Sequence, residues 1–595
     1  MIMFFKMILI FQIHALCKQN KLYEYFFISN ISLDYSLFVK PLFCNTFTRF
    51  ILYYFNSYSR LQSIFLLILY NAKITKCAAQ TAFDITLKGD LIMFNSEIIV
   101  FLGYFIILFF FGLIFYFNGE NKNQEDYFLG GRSMGPWVTA MSAQASDMSA
   151  WLLMGLPGSI LAFGFGQIWI GIGLALGTAA NWIFCAKRLR KFSKAANDAI
   201  TLPQYLTNRF ASEHKTLQVI CAVIFLVAFT VYVASAFVAG TSVFTMLFPA
   251  ITERTAMIIF ALIIIGYTFL GGFKAVCWTD FFQGILMLLA LLAVPIIVAA
   301  TCDLDTSVLQ TVYQYTDASG AIVTCDFGSG LFDASWKDII SGLAWGLGYF
   351  GMPHVIVRFM SIEKPDMINK SATVAIIWVV LALGATCVLA YLARMIVGEE
   401  LLTTGTQKMV FIVMSRKFFP PAIAGLLLAA IMAASVSTAD SQLLVASSSF
   451  TSDIYQPIFR KDAGEKEVLN VGRAAVVIIA VIAYIIASSK GSGAQAIMNL
   501  VENAWGIFGA SFGPVVILSL FWRRFNYTGA CVGVIVGAAA DILWLICFSG
   551  SGIYELLPGF IAGCLAAVIA TLITPAPSKT VTDIFDKAAA SDYAE

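Results

Sequence analysis

Two short stretches of the chain, AQASDMSAWLLMGLPG at residues 143–158 and WGLGYFGMPH at residues 345–354, decide which fold the sequence can adopt. Both lie inside long apolar segments, yet both contain polar, glycine and proline residues that interrupt a regular bilayer helix. Such interruptions are tolerated in membrane proteins where the backbone is buried in protein or lines a cavity. The two stretches therefore predict a pair of broken transmembrane helices.

The composition of the whole chain is typical of a polytopic membrane protein. Its 595 residues are 59% hydrophobic and 12% charged, with a mean hydropathy of +0.83, whereas soluble domains carry about 25% charged residues. This balance argues against a soluble enzyme and a disordered protein. The formal net charge of +2 gives no basic patch for nucleic acid, and the cysteines show no paired C-x-x-C spacing for zinc.

From residue 94 onward, the hydropathy pattern predicts about thirteen membrane-spanning helices. The predicted spans are 96–117, 137–162, 166–186, 216–247, 254–272, 281–301, 336–357, 371–396, 418–447, 470–488, 498–521, 526–548 and 556–574. We therefore expect residues 93–577 to form one all-α transmembrane domain, followed by a C-terminal tail at 578–595.

The first 92 residues differ from the rest of the chain. Their two apolar patches, around Met3–Phe11 and Ile64–Tyr70, are shorter than the roughly 20 residues that a spanning helix needs. Met93 begins the sequence MFNSE directly before the first long apolar run. We expect residues 1–92 to be either an extension that precedes the true start of translation or a poorly ordered N-terminal arm.

Charged residues in the loops predict the orientation in the membrane. Basic clusters occur at Lys187–Lys194 with Arg209, at Arg358–Lys370, at Arg460–Arg473 and at Arg523–Arg524. With thirteen alternating spans, these clusters share one side, and the acidic loop Cys302–Trp336 lies on the other. The positive-inside rule then places the start of the first span outside and the C-terminus in the cytoplasm. Cys302 and Cys325 could pair if their loop faces an oxidising compartment.

The two broken helices occupy equivalent positions in the predicted topology. The second span opens one set of five spans and the seventh opens the next set. Because five is odd, the second set enters the membrane from the opposite face, which makes an inverted repeat over about residues 137–521. Paired interrupted helices in such repeats form a substrate and ion site near the bilayer midplane. The simpler explanation is that glycine and proline are common in membrane helices generally.

Asp147 is an ionisable residue within the first broken stretch. A charged side chain near the bilayer centre costs at least about 2.5 kcal/mol, so such residues usually face a polar pathway. The carboxylate could coordinate a cation directly or shape the site indirectly. It could also cap a helix fragment or pair with Arg132.

The ninth span contains the sequence ASVST, in which Ala434, Ser437 and Thr438 share one helix face. Two hydroxyls and a carbonyl on that face would offer the hard oxygen ligands that cations such as sodium prefer. Carbonyls of Ala145 and Met148 in the broken second span could complete the set. Small residues also favour ordinary helix packing, and the spacing alone does not separate the two interpretations.

Several longer motifs point to a known family. They are EDYFLGGRSMGP at 125–136, ASDMS at 145–149, TVY at 230–232, GGF at 271–273, WTD at 278–280, WGLGYFGMPH at 345–354, ST at 437–438 and FGPVV at 512–516. With these motifs the sequence resembles the sodium/solute symporter family, and within it most closely the bacterial sodium/proline symporters. The resemblance extends from about Met93 to about residue 575.

The resemblance implies a LeuT-type five-plus-five inverted repeat, with one helix before it and two after it. It also implies sodium-coupled uptake of L-proline across the cytoplasmic (inner) membrane. Sodium, the co-transported ion, would bind the backbone carbonyls of Ala145, Met148 and Ala434 and the hydroxyls of Ser437 and Thr438.

The same resemblance implies roles for further side chains. It implicates Asp147, Arg132 and Asp280 in sodium coupling or gating. It places five residues in the proline pocket: Ser149, Tyr232, Trp345, Tyr349 and Pro353. Trp345 and Tyr349 stand at i and i+4, a spacing that would allow both rings to contact a pyrrolidine ring.

Two departures from the family pattern keep other functions open. Ala150 stands where the proline transporters are expected to have glycine, and Asp440 stands where a small polar residue is expected. A symporter of the same fold for pantothenate, another amino acid or a carboxylate is therefore an alternative, as is a non-transporting sensor or a channel. No nucleophile, base or metal-ligand set suggests an enzyme. The expected partners are the solute, sodium and membrane lipid, without nucleic acid or an obligate protein.

Overall fold

The computed structural model describes residues 96–117, 123–317, 320–328, 330–490, 494–590 and 593. The predictions for residues 1–92 and for a start at Met93 lie outside these residues. The described helices are α1 Ser96–Phe117, α2 Gln124–Leu129, α3 Pro136–Met148, α4 Gly155–Phe163, α5 Ile168–Ala180, α6 Lys187–Ala195, α7 Leu202–Arg209, α8 Thr216–Leu247, α9 Glu253–Thr301, α10 Trp336–Ala344, α11 Pro353–Ser361, α12 Ile368–Thr403, α13 Val410–Phe418, α14 Pro421–Ser448, α15 Glu465–Lys490, α16 Ala494–Phe521, α17 Tyr527–Cys547, α18 Leu556–Ile573 and α19 Lys579–Ala589.

Shorter helical segments join several of these helices. Segments of 3₁₀ helix lie at Gly130–Arg132, Ala150–Leu152, Gly164–Gln167, Thr306–Gln310, Trp345–Phe350, Pro365–Met367, Gln407–Met409 and Ser549–Ser551. Segments of π-helix lie at Asn181–Ala186 and Ser449–Phe459. The described strands are β1 Tyr313–Thr316 and β2 Ile322–Cys325, which pair antiparallel with Tyr313 opposite Cys325.

Within the described residues, ten helical segments are long and apolar enough to cross a membrane, and the bent pair Trp336–Phe350 plus Pro353–Ser361 makes eleven. The thirteen predicted spans exceed this number at two places. The predicted second and third spans are represented by the single segment Ala150–Ala195, because the second span is broken and α3 has only 13 residues. The predicted fifth span is the first part of α9. Within α9, only Gly271–Thr301 is counted as long and apolar enough to cross a membrane.

The long helix α9 is divided by a glycine. A straight helix of its 49 residues would be about 74 Å long, more than twice the roughly 30 Å hydrocarbon core of a bilayer. Gly272 interrupts it with φ 64° and ψ −178°, a conformation that glycine adopts at little steric cost. The interruption separates the two intervals predicted as the fifth and sixth spans.

Both predicted helix interruptions are present. The helix α3 ends at Met148, and Ser149 adopts a non-helical φ of 39° and ψ of −177° before a 3₁₀ turn and α4. In the second interruption, the 3₁₀ segment Trp345–Phe350 follows α10. Pro353 then begins α11, where its fixed φ suits the first helical position. The two parts of this span are bent by 42°.

The helix α14, which carries the ASVST sequence, lies in the interior of the bundle. In the segment Pro421–Phe459, 83% of the apolar window is buried, and α14 packs against α1, α3, α8 and α9. Its many alanine and serine residues allow the close backbone approach that small residues permit in membrane bundles. This packing places the ASVST sequence beside the interrupted helix α3.

The loop between α9 and α10 is attached to the bundle by a buried arginine. Arg394 of α12 donates hydrogen bonds to the backbone oxygens of Thr311, at 2.6 Å, and Cys325, at 3.2 Å. A third bond reaches Leu161 in α4, at 2.9 Å. Cys302 and Cys325 are both free thiols among the described cysteines.

The predicted C-terminal tail contains the folded helix α19. The fully buried Arg209 of α7 donates to the backbone oxygen of Val581 at 3.1 Å, and its guanidinium carbon lies 5.0 Å from the ring centre of Phe585. Arg523, just after α16, forms a 2.7 Å ion pair with Asp586. These contacts fix α19 at the end of the bundle where the basic loops lie.

Candidate functional site

The interrupted helix α3 and the interior helix α14 touch through predicted sodium ligands. The Ser437 hydroxyl lies 2.8 Å from the Ala145 carbonyl oxygen and 3.2 Å from that of Ala434. Thr438 is fully buried, and its hydroxyl has no hydrogen-bond partner among the residues described. Met148 ends α3, and the last carbonyls of a helix lack intrahelical partners. The structure thus joins Ala145, Ala434 and Ser437 directly, with Thr438 and Met148 next to them along the two helices.

Asp147 connects the two broken spans. The Tyr349 hydroxyl donates to Asp147 Oδ2 at 2.5 Å, while Asp147 Oδ1 has no hydrogen-bond partner in the part of the chain that the structure describes. Asp147 as a whole is 4% exposed. Its partner is therefore the tyrosine of the second broken span, and Arg132 forms its bonds elsewhere.

A small cavity lies between the broken spans. The empty space among its lining atoms is about 250 Å³, part of it open to solvent. Its lining residues are Asp147, Met148, Ser149, Trp151, Leu174, Tyr232, Trp345, Tyr349, Val501 and Trp505. Four of the five residues predicted for the solute pocket belong to this set. The fifth, Pro353, lies outside the set, at the start of α11.

Aromatic rings form one wall of this cavity. The Trp345 ring stacks on Trp151, with centroids 5.4 Å apart, and on Tyr554, at 5.1 Å. The Trp505 indole donates to the Trp345 backbone oxygen at 2.9 Å, and its ring meets Tyr349 edge-on at 5.1 Å. A 3₁₀ helix has three residues per turn, so side chains at i and i+4 point about 120° apart. Trp345 and Tyr349 nevertheless both line the cavity. Trp345 belongs to the stack, whereas Tyr349 reaches Asp147.

Sequence reasoning did not identify four of the cavity residues, namely Trp151, Leu174, Val501 and Trp505. Each is an apolar or aromatic residue in a membrane segment, where the same residue type serves packing equally well. Trp151 follows the polar stretch by two residues, which is the one available sequence signal.

Asp280 lies in a separate buried polar cluster. Its Oδ2 accepts a 2.7 Å hydrogen bond from Ser142 and forms a 3.3 Å ion pair with Arg358. The same guanidinium donates to the Ser441 hydroxyl at 2.5 Å and to the His354 backbone oxygen at 2.7 Å. The cluster therefore ties α9 to α3, α11 and α14, one turn of α3 before Ala145.

The charge pattern predicts that Arg358 lies in a basic loop, but the structure buries it in α11 with 1% exposure. Burial of an arginine is tolerated when a carboxylate pairs with it and hydrogen bonds satisfy its other donors. Those partners come from helices distant in sequence, so the loop assignment was the natural interpretation. Asp440 is also fully buried, and within the described chain neither of its carboxylate oxygens has a hydrogen-bond partner.

Arg132 lies away from both the cavity and Asp280. It donates to the backbone oxygens of Met360 in α11, at 2.7 Å, and Ala199, at 2.8 Å. It also forms a 2.9 Å ion pair with Asp198. Arg132 thus ties the segment before α3 to the end of α11 and to the loop after α6.

Comparisons with known proteins identify the family of the chain. The model of the sodium:solute symporter family matches residues 127–537. The high-affinity proline transporter PutP of Bacillus subtilis is 42% identical over 477 residues, which cover 80% of this chain and 98% of that protein. The sodium/proline symporter of Escherichia coli is 40% identical and covers 79% of this chain and 92% of its own length. These relatives are transporters rather than enzymes.

Two solved structures have a similar fold at low sequence identity. A substrate-bound, outward-open Na⁺-coupled sialic acid symporter is 19% identical with a TM-score of 0.64, covering 81% of this chain and 98% of that chain. Mhp1, a nucleobase-cation-symport-1 family transporter, is 14% identical with a TM-score of 0.50, covering 77% and 98%. The fold is the LeuT-type inverted repeat in a mostly helical, multi-pass membrane protein. The chain belongs to the sodium:solute symporter family.

Proposed function

We propose that this chain is a secondary active transporter that carries L-proline into a bacterial cell together with sodium. Relatives about 40% identical over more than 90% of their own length are sodium/proline symporters, which supports both the ion and the solute. The observation that carries the proposal is the contact of Ser437 with Ala145, because it brings the oxygen atoms of two helices together where one of those helices is broken.

In this proposal, sodium binds the carbonyl oxygens of Ala145, Met148 and Ala434 and the hydroxyls of Ser437 and Thr438. All five ligands are neutral oxygens, a set that suits a monovalent hard cation, whereas calcium sites usually include carboxylates. The ion holds α3 against α14 and so fixes the shape of the cavity beside the interruption. By linkage, an ion that raises the affinity for proline has its own affinity raised by the same factor.

Proline would occupy the cavity between the broken spans. Its carboxylate would face the backbone N–H groups at the start of the turn after Ser149, since helix starts favour anions. Its apolar ring would lie against Tyr232, Trp345 and Tyr349. Asp147 positions the ring of Tyr349 through their 2.5 Å hydrogen bond, while Pro353 shapes the second broken span.

Arg132 and Asp280 act as gating residues in this account. Arg132 links the segment before α3 to the end of α11, and Asp280 links α9 to α11 through Arg358. Both links join elements that must separate if the broken spans open toward the basic side of the protein. The breaking of these two links would therefore accompany the release of sodium and proline.

We also propose that the protein lies in the bacterial cytoplasmic (inner) membrane, with the start of its first span outside and its C-terminus inside. The support is that the basic loops lie on one side in the thirteen-span topology. A membrane-impermeant maleimide should label an Ile322→Cys variant in intact cells and should label Lys461→Cys only after lysis, both in a cysteine-free chain. Both positions are exposed. The reverse labelling pattern would overturn this orientation.

The direct test of the function is uptake of radiolabelled proline by purified protein in proteoliposomes. An inward sodium gradient should drive accumulation, and the same gradient of potassium or choline, without a pH difference, should not. Competition by pantothenate, other amino acids and carboxylates tests the alternative that Ala150 and Asp440 mark another solute. Accumulation without sodium would contradict the proposal, as would stronger competition by another solute than by unlabelled proline.

A further inference from the structure

A pair of buried carboxyl groups lies beside the aromatic wall, apart from the polar groups discussed above. Asp541 of α17 is 1% exposed, and Glu555, directly before α18, is 7% exposed. Both carboxylate oxygens of Asp541 and Oε1 of Glu555 have no hydrogen-bond partner among the residues that the structure describes. Buried polar groups are almost always hydrogen-bonded, so this pair requires a physical explanation.

The side chains of Asp541 and Glu555 border the same small space. A side-chain carbon at Gly506 of α16 would lie 2.9 Å from Asp541 Oδ1 and 3.4 Å from Glu555 Cγ. Glycine at this position therefore leaves the room into which both side chains extend. Three helices, α16, α17 and α18, meet around this space.

The groups around the pair supply little positive charge. Glu502 of α16 is a further acid, and Tyr554 is neutral at ordinary pH. Lys337 of α10 directs its ammonium group to the backbone oxygen of Ser551, at 2.8 Å. Burial raises the pKa of Glu555 above its ordinary value. Two carboxyl groups in one buried site cannot both ionise readily, and such pairs commonly share one proton.

The pair is connected to the cavity through one aromatic ring. Tyr554 precedes Glu555 and stacks on Trp345 with centroids 5.1 Å apart. Its hydroxyl donates to the backbone oxygen of Glu502 at 2.8 Å. A displacement of the segment before α18 would therefore move a ring that supports the cavity wall.

We propose that Asp541 and Glu555 form a proton-binding site in which one proton is shared between the two carboxyl groups, and that this proton keeps Tyr554 packed on Trp345. When the proton leaves to water, two negative charges remain in the same buried space. Their repulsion separates the end of α17 from the start of α18, which loosens the cavity wall and weakens solute binding. The proton site does not depend on the solute, but its effect on uptake rests on the proposed function.

The matched variants for this proposal are Asp541→Asn and Glu555→Gln, each of which keeps the side-chain shape and removes one charge. Infrared titration of the purified protein in lipid, without sodium or proline, should show a protonated-carboxyl band that is lost on alkalinisation. Either variant should remove the component of that band that comes from the shared proton, while Glu502→Gln should retain that component. A band that persists unchanged in both Asp541→Asn and Glu555→Gln would overturn the proton site.

Uptake provides the second readout. Raising the pH from about 6 to about 9 should raise the half-saturating proline concentration of the wild type about fivefold, a typical coupling. The Asp541→Asn variant should show a flat profile over the same range. An identical pH profile in wild type and variant would overturn the link to the cavity. Absence of proline uptake would instead refute the proposed function, and the infrared band would still decide the proton site.

Discussion

Replacement of Tyr349 by phenylalanine tests the connection between the two broken spans. The substitution removes only the hydroxyl that donates to Asp147 Oδ2 at 2.5 Å, and Asp147 Oδ1 already lacks a hydrogen-bond partner among the described residues. A buried carboxylate would thus lose its hydrogen bond without a solvent replacement. Hydrogen bonds to charged groups contribute about 1.5–3 kcal/mol. The loss corresponds to about 10- to 150-fold in an equilibrium constant, since about 1.4 kcal/mol is tenfold.

We expect this loss to weaken proline binding because Tyr349 lines the cavity and Asp147 fixes its orientation. Equilibrium binding of labelled proline at saturating sodium should give a dissociation constant raised by about one to two orders of magnitude. Tyr205→Phe is the matched control, since it removes an equally buried tyrosine hydroxyl that bonds Ser519 at 2.9 Å, away from the cavity. Equal affinities in wild type and Tyr349→Phe, or an equal loss in both variants, would refute the reasoning.

Three further substitutions test other parts of the account. Thr438→Val keeps the shape of the side chain but removes a proposed sodium ligand. The sodium concentration for half-maximal uptake should therefore rise at least tenfold (about 1.4 kcal/mol). An unchanged sodium dependence would exclude Thr438 as a ligand. Arg358→Gln leaves Asp280 as a buried charge without its ion-pair partner and should destabilise the protein by about 3–5 kcal/mol. The unfolding temperature in detergent should fall, and the double variant Arg358→Gln with Asp280→Asn should recover most of the loss. Arg209→Ala should detach α19 from the bundle, which should speed amide hydrogen exchange at residues 579–589 and not elsewhere. Unchanged exchange in these residues would contradict the role of Arg209 in holding α19.

The parts of the fold that could be predicted are those that local sequence encodes. Polar, glycine and proline residues inside apolar segments identified both helix interruptions, because a bilayer helix tolerates them only for a structural reason. Long apolar runs located the helices, although the number of spans differs where α3 is short and where Gly272 interrupts α9 without a connecting loop. The motif resemblance supplied the solute and the ion, and the proposed ligand set remains a prediction.

The parts that could not be predicted depend on contacts between distant helices. Arg358 sits in a charge-rich stretch, and its burial follows from Asp280, which lies 78 residues away in sequence. The stack of Trp151, Trp345 and Tyr554 combines three segments, and an aromatic residue in a membrane helix has the same local pattern whether it packs or lines a cavity. The 3₁₀ conformation after Ala344 changes the angle between the side chains of Trp345 and Tyr349, and helical periodicity did not indicate it.

The central claim is that sodium binds between α3 and α14 and thereby creates the affinity for proline. The most direct measurement is equilibrium proline binding against sodium concentration for Ser437→Ala, compared with Ser435→Ala. Among the described residues, the Ser435 hydroxyl bonds within α14, to the Ile431 backbone oxygen at 3.1 Å. The account predicts that Ser437→Ala shifts the sodium dependence at least tenfold (about 1.4 kcal/mol), while Ser435→Ala retains the wild-type curve. Proline binding to the wild type that is equally strong without sodium, or identical curves for both variants, would contradict it.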